Sequence, residues 1–229
     1  MTRTAEVEAG TLYVIATPIG NLGDITLRAL ETLRQVDVIA AEDTRRTRRL
    51  LARHDISARL VSYHEHNEES RSRQLMERLL EGEDVGLVTN AGTPCVSDPG
   101  YRLVRRAAEA GCRIVPIPGA SAVLAALSAS GLPSDRFLFE GFLPRKAGKR
   151  RRRLEELAQL GLTAVIYESP QRILRTLAEL AEVMPEAQVV LLRELTKVYE
   201  TILRGTATEI AGQMGEGTPK GEITLVVCP

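Results

Sequence analysis

Residues 90–100, NAGTPCVSDPG, set the terms for the rest of the chain. They follow a short apolar run of strand type, residues 84–89, and precede residues 101–110, whose apolar positions recur at helical spacing. A strand, a loop of small residues and a helix, in that order, describe either an ordinary tight connection or a ligand-binding turn. The second sits at the carboxyl end of a parallel strand, where open α/β sheets bind small molecules. Gly92 and Gly100 permit backbone angles closed to other residues, and Pro94 and Pro99 stiffen the path. Ser97 or Asp98 is expected to cap the helix that follows.

The same order repeats along the first half. Strands are expected at residues 11–17, 37–41, 59–63, 84–89 and 112–116, with helices at 26–34, 43–54, 68–81 and 101–110. Apolar strands alternating with helices imply a parallel sheet covered on both faces. The second half reads differently. Strands at 137–142, 163–167, 188–192 and near both 197–204 and 222–227 are separated by helices ending at Leu160 and Val183, and a short helix around Glu209 and a polar hairpin are expected between the last two strands. The fold expected is therefore α/β with two domains: an N-terminal, mostly parallel five-stranded sheet over residues 11–117 and a C-terminal mixed sheet over 118–229, after a flexible tail at 1–10.

Composition narrows the partners. Thirty basic residues balance thirty acidic ones, so any affinity for nucleic acid must come from local clustering. Three widely spaced cysteines, Cys95, Cys112 and Cys228, fit neither a disulfide framework nor a metal-ligand pair, and a reducing cytoplasm is the simpler reading. Residues 114–134 carry no charge over a length that could span a membrane, yet prolines and glycines leave only about ten continuous helix-compatible residues, the length of a buried core helix. No membrane partner and no metal are expected.

There is no GxGxxG turn, Walker loop, CxxC or HExxH. What remains is a set of Gly/Pro/Ser loops at strand ends, at residues 18–23, 90–100, 116–121, 168–170 and 218–222. Lining one rim, they suggest a small-molecule cleft between two α/β lobes, contacted mostly by backbone groups.

Seven segments carry a resemblance: TPIGNLGDITLRAL, AEDTRRTRRLL, NAGTPCVSDPG, IPGASAV, FLFEGFLPRK, YESPQRI and KGEITLVV. In order, from about residue 11 to 227, they resemble the loops of bacterial 16S rRNA (cytidine 2'-O) ribose methyltransferases, within the tetrapyrrole (corrin/porphyrin) methylase superfamily. The resemblance implies an S-adenosylmethionine-dependent enzyme, homodimeric, methylating the 2'-hydroxyl of a cytidine in the decoding region of 16S rRNA within the small ribosomal subunit, with the cofactor folded into the interdomain cleft. Carried over by position, the cofactor contacts are Asn90, Ala91, Gly92, Thr93, Pro94, Ser97, Asp98, Pro118, Gly119, Ala120, Ser121, Tyr167, Glu168 and Pro219, while Pro18, Gly20 and Asn21 form the loop facing the acceptor. Three positions depart from the pattern: Asn90 stands for an aspartate, Cys95 for an aliphatic residue, and Gln171 for a histidine.

Two basic clusters suggest the RNA. One is the helix bearing Arg45, Arg46, Arg48, Arg49 and Arg53; the other runs through Arg145, Lys146, Lys149, Arg150, Arg151, Arg152 and Arg153. A solvated helix face would carry such charges as well, but a second cluster in a neutral protein favours phosphate contacts, and the 145–153 segment is the preferred RNA surface. With aromatics at 3% and no tryptophan, an aromatic stacking platform is not indicated. For a base near the acceptor hydroxyl, Glu42 is favoured over Asp43, which also fits a helix N-cap, and over His64, Glu65 and His66; Lys197 is a candidate electrostatic helper. The rival readings are a methylase of a small tetrapyrrole, against which the basic clusters speak, and a non-catalytic RNA-binding or ribosome-assembly factor, against which the intact loops speak.

Overall fold

A computed structural model describes residues 8–214 and 220–229, in two compact units, 1–121 and 122–229. Of the tail expected at 1–10, residues 1–7 lie outside the described residues, while Gly10 is buried and donates its amide to the Leu79 carbonyl at 2.7 Å.

Unit 1 runs β1 (Thr11–Ile15), α1 (Leu27–Gln35), β2 (Val38–Ala41), α2 (Thr44–Arg53), β3 (Leu60–Ser62), α3 (Glu68–Leu80), β4 (Val85–Val88), α4 (Tyr101–Glu109) and β5 (Arg113–Ile117). The sheet order is β3-β2-β4-β1-β5 and every pairing is parallel. Residues alternate between its faces with the period of two that a pleated strand imposes. Val38, Ala40, Val85 and Leu87 pack with Leu75, Leu79 and Leu103 of α3 and α4; Ile39, Ala41 and Val88 pack with Ala29, Leu33 and Leu51 of α1 and α2. Both faces are thus sealed, and only the strand ends are left to bind anything. Five parallel strands send their connections to one end, which gathers the loops after β1, β2, β3, β4 and β5.

Unit 2 runs α5 (Ala122–Ser130), β6 (Phe137–Phe142), α6 (Ala147–Leu160), β7 (Thr163–Glu168), α7 (Ile173–Val183), β8 (Gln188–Arg193), β9 (Thr201–Gly205), α8 (Ala207–Gln213) and β10 (Ile223–Cys228). The order is β6-β7-β10-β8-β9, with β6–β7 parallel and the other pairs antiparallel. The expected hairpin between the last two strands does not form. β9 pairs with β8, and β10, five buried residues of six, inserts between β7 and β8. A strand so apolar gains more at the centre of a sheet than at its edge. The apolar α5, Ala122–Ser130, covers one face through Val123, Ala126 and Leu127 against Val165, Val190 and Val226. Among the described residues no helix is long and apolar enough to cross a membrane.

One local expectation is corrected. The N-cap of α4 is Gly100, with no side-chain cap, rather than Ser97 or Asp98. Residues 147–153 of the basic segment form the first two turns of α6.

Candidate active site

The loops at the carboxyl end of the unit 1 sheet are tied to each other by backbone. Thr17 and Gly92 exchange both hydrogen bonds, N–H to O at 2.9 and 3.0 Å, joining the loop after β1 to the loop after β4. The Thr17 hydroxyl donates to the Thr89 carbonyl at 3.2 Å, and the Ala16 amide to that of Ile117 at 3.1 Å. Gly92 sits at φ +83°, in the left-handed region, with an added Cβ 3.5 Å from Ile19 and 3.8 Å from the Ala120 carbonyl. At Gly119 a Cβ would stand 3.0 Å from that of Ala16, so the 118–121 turn lies close against the end of β1 because this residue has no side chain.

Carboxylates from neighbouring elements pin both ends of the 90–100 loop. Glu42, just past β2, accepts from the Asn90 amide at 3.1 Å, and Glu68, in the first turn of α3, accepts from the Gly100 amide at 3.0 Å. The buried Tyr63 hydroxyl donates to Glu68 at 3.0 Å and meets Ser72 at 3.1 Å, and Arg102 flanks the same carboxylate. Between the pins, Cys95 (φ 71°) and Ser97 (φ 60°) hold left-handed angles, each at a cost of roughly 1–3 kcal/mol that the surrounding contacts must offset. Burial, then the charges of Glu68 and Asp98, push the Cys95 thiol up to about 11, so it is a packed thiol and not a nucleophile.

Two polar atoms at the root of this loop, Thr89 Oγ1 and Asn90 Oδ1, are buried without a hydrogen-bond partner among the described residues. Unmet buried polar atoms cost about 1–3 kcal/mol each, and a ligand's polar groups are one way of meeting them. Ala91 and Thr93 are half-buried and Pro94 buried, whereas Pro118 and Gly119 are exposed and Ala120 and Ser121 half-buried at the neighbouring strand end. Of the acceptor loop, Pro18 is buried, and Gly20 and Asn21 are exposed, with Asn21 accepting from the Gly23 amide at 3.0 Å to cap a single 3-10 turn. Asp43 is the N-cap of α2; hydrogen bonds from the Arg45 side chain and amide hold its carboxyl down at about 2.

In unit 2 the carried-over positions are occupied by structure. Glu168 is 2% exposed and accepts from the Ser169 amide and the Thr176 hydroxyl, both at 2.7 Å, with Arg172 at 3.2 Å. Its side chain shapes the turn after β7. Tyr167 lies between the rings of Phe139 and Phe142, at 5.1 and 5.7 Å. Lys197 bridges Glu194 at 2.7 Å and Glu222 at 3.0 Å; burial pulls its ammonium down, the two carboxylates more than offset that, and the net shift is upward. It is a cation with its charge matched, tying the turn after β8 to the start of β10. Gln171 is exposed, and Pro219 lies outside the described residues.

A profile of the Tetrapyrrole (Corrin/Porphyrin) Methylases matches residues 11–211. The chain belongs to this family. Within it, a ribosomal RNA small subunit methyltransferase I of Halalkalibacterium halodurans is 50% identical over 220 residues, 96% of this chain and 76% of the relative. One from Escherichia coli O157:H7 is 49% identical over 228 residues, 98% of this chain and 80% of the relative. Among solved structures, cobalt precorrin-4 methyltransferase superposes with a TM-score of 0.69 at 21% identity, covering 99% of this chain and 97% of that one. A diphthine synthase gives 0.74 at 16%, covering 96% and 90%. At such identities these structures establish the shared fold alone.

Against that tetrapyrrole methylase fold the two arginine clusters separate. In α6 the side chain of Arg150 is 1% exposed and forks onto Glu179 of α7, also donating to the Arg145 carbonyl at 3.2 Å. Arg151 reaches Glu155 and Glu182, Arg152 reaches Glu156, and Arg153 clamps Glu140 of β6 at 2.7 Å and Glu156 at 2.8 Å. Arg150 and Arg151 thus tie α6 to α7 and Arg153 ties it to β6, with the Arg150 side chain buried, whereas Arg152 pairs within α6 and stays exposed. Arg145, Lys146 and Lys149 are exposed. In α2, Thr47, Leu50 and Leu51 face the core while Arg46, Arg48, Arg49 and Arg53 are exposed with no ion pair among the described residues; Arg45 alone is paired, to Asp43. Glu68, Tyr63 and Thr89 escaped the sequence reading, since the bond from Glu68 to Gly100 crosses 32 residues and leaves no local pattern.

Proposed function

We propose that this chain is an S-adenosylmethionine-dependent methyltransferase of small-subunit ribosomal RNA, acting as a homodimer on the ribose 2'-hydroxyl of a cytidine in the decoding region of 16S rRNA. The observation that carries the reading is identity near one half, over almost the whole chain, to relatives named ribosomal RNA small subunit methyltransferase I. The cytidine and its 2'-oxygen rest on the resemblance of the seven loop segments.

The residues of unit 1 fit the cofactor. Two buried, unmet polar atoms, Thr89 Oγ1 and Asn90 Oδ1, stand beside a left-handed Gly92 and a turn whose Gly119 admits close approach. Thr89–Ser97 and the 118–121 turn would hold it through these atoms and through backbone groups. When bound, S-adenosylmethionine supplies an electrophilic methyl group on a sulfonium. The protein must then hold the hydroxyl in line and give its proton an outlet. Glu42 Oε2 fixes the Asn90 amide, so this carboxylate acts first as a positioning group. Glu42→Gln keeps an acceptor at that place; titration calorimetry with S-adenosylmethionine is expected to show affinity within about twofold of wild type and turnover within about fivefold, whereas Glu42→Ala weakens binding about tenfold. A hundredfold loss of turnover in Glu42→Gln with intact binding would make Glu42 the base instead. No calorimetric binding of S-adenosylmethionine to the wild-type chain would defeat the cofactor reading outright.

The RNA surface of this proposal is the free face of α2, with Arg145, Lys146 and Lys149, because a guanidinium already forked onto a carboxylate has little to offer a phosphate. Arg46→Ala/Arg49→Ala is expected to weaken binding to the small subunit about tenfold and to flatten the plot of log affinity against log salt by about 1–2. The pair Arg151→Ala/Arg152→Ala is expected to change affinity by less than about threefold. The reverse ranking would return the surface to α6.

A further inference from the structure

The loop between β3 and α3, His64-Glu65-His66-Asn67, is held in a way that helix formation does not require. Asn67 occupies the N-cap position of α3, where an asparagine side chain ordinarily accepts from the first turn, yet it makes no cap hydrogen bond. Its amide turns back into the loop. Oδ1 accepts from the His64 backbone N–H at 2.8 Å, and Nδ2 donates to the Ser62 carbonyl at 3.2 Å. A backbone N–H can only donate and a carbonyl can only accept, so these two contacts fix which end of the amide is oxygen. Arg71 donates to the same Ser62 carbonyl at 3.0 Å and steadies the arrangement.

The fixed amide then fixes the histidine. Asn67 Nδ2 lies 3.3 Å from His64 Nε2, and since the amide nitrogen only donates, Nε2 is the accepting nitrogen and the ring hydrogen of the neutral imidazole sits on Nδ1. That Nδ1 is buried and has no hydrogen-bond partner among the described residues. His64 is therefore badly placed to act as a base: one nitrogen is engaged as an acceptor and the other already carries its hydrogen. It presents a buried donor that lacks an acceptor. The ring of the exposed His66 lies edge-on to it, with ring centroids 5.9 Å apart.

Resting on the reading of the chain as an rRNA methyltransferase, we infer that His64 Nδ1–H is a substrate-binding donor that takes an oxygen of the RNA ribose-phosphate backbone. The loop follows β3, the edge strand beside β2, and β2 separates it from β4, whose loop carries the cofactor residues. Two strand spacings, about 10 Å, place it beside the cofactor loop on the side of β2 and α2, across from the loop after β1. The basic helix α2 leaves β2 at the same end of the sheet, with Arg46 and Arg49 exposed, so a phosphate chain drawn to that helix passes the strand end where His64 waits. Asn67 is the positioning residue that selects the donating tautomer.

The test joins spectroscopy to kinetics on the full chain. Long-range proton–nitrogen spectra of the three histidines are expected to show neutral His64 protonated at Nδ1; protonation at Nε2 overturns the inference, and this reading needs no variant. His64→Phe keeps a ring and removes both nitrogens. It is expected to raise the KM for small subunits about tenfold or more, the loss of one hydrogen bond to a charged oxygen, while calorimetric affinity for S-adenosylmethionine stays within about twofold. An unchanged KM in a folded His64→Phe protein means the donor is met by solvent or by the protein, and overturns the inference. A wild-type chain that fails to methylate the subunit at all contradicts the broader reading and is recognised before any variant is made.

Discussion

Arg150→Ala is expected to unfold unit 2 at a temperature about 10 °C or more below wild type, by calorimetry or circular dichroism, and only for that reason to weaken RNA binding. The side chain is 1% exposed and forks onto Glu179, itself 16% exposed, across the contact between α6 and α7. Truncation leaves a largely buried carboxylate without its counter-charge, which costs about 3–5 kcal/mol, whereas the intact pair is worth little more than an apolar pair of equal volume. The double replacement Arg150→Met/Glu179→Leu should therefore recover most of the loss. If Arg150→Ala melts with the wild type and instead loses subunit affinity in a salt-dependent way, the strut assignment fails and Arg150 returns to the RNA surface.

Gly92→Val is expected to weaken S-adenosylmethionine binding by about a hundredfold while unit 1 stays folded. At φ +83° a β-branched residue is forced out of the left-handed region, and Gly92 cannot shift without breaking both hydrogen bonds to Thr17. That bridge joins the loops after β1 and β4, so its loss displaces Thr89 Oγ1 and Asn90 Oδ1 together. Gly111→Ala is the control: its φ of +72° carries similar strain, but nothing lies within 4 Å of the added carbon and it sits at the far end of α4. Cofactor affinity should survive in Gly111→Ala; wild-type affinity in Gly92→Val would remove the 90–100 loop from the cofactor site.

Much of the fold was legible because its determinants are local. The alternation of Val38, Ile39, Ala40 and Ala41 between two faces follows from a period of two, and Asp43 reads as the cap of α2 because an acidic side chain stands one residue before a helical run. The special backbone of the loop at 90–100 was legible in its glycines, since Gly92 and Gly100 both hold positive φ angles. What stayed hidden depends on partners distant in sequence. Nothing near Arg150 announces Glu179, so the bridges from Arg150, Arg151 and Arg153 to α7 and β6 could not be read from the run of arginines in α6. The stretch of α2 with arginines of the same type, but with no ion pair at Arg46, Arg48 or Arg49 among the described residues, could be told apart only in three dimensions. Likewise the insertion of β10 at the centre of its sheet, and the turn of Asn67 away from its helix, are choices among locally equivalent options that tertiary packing decides.

The central claim is the chemistry, and one labelling experiment tests it. The protein is incubated with methyl-labelled S-adenosylmethionine and, in parallel, small ribosomal subunits lacking the modification, naked 16S rRNA and a uroporphyrinogen-type acceptor; the label is then located by mass. The account predicts label on the ribose of one cytidine in the RNA of the assembled subunit, with little or none on the macrocycle. Label on the macrocycle, or on no RNA although the cofactor binds, would contradict it.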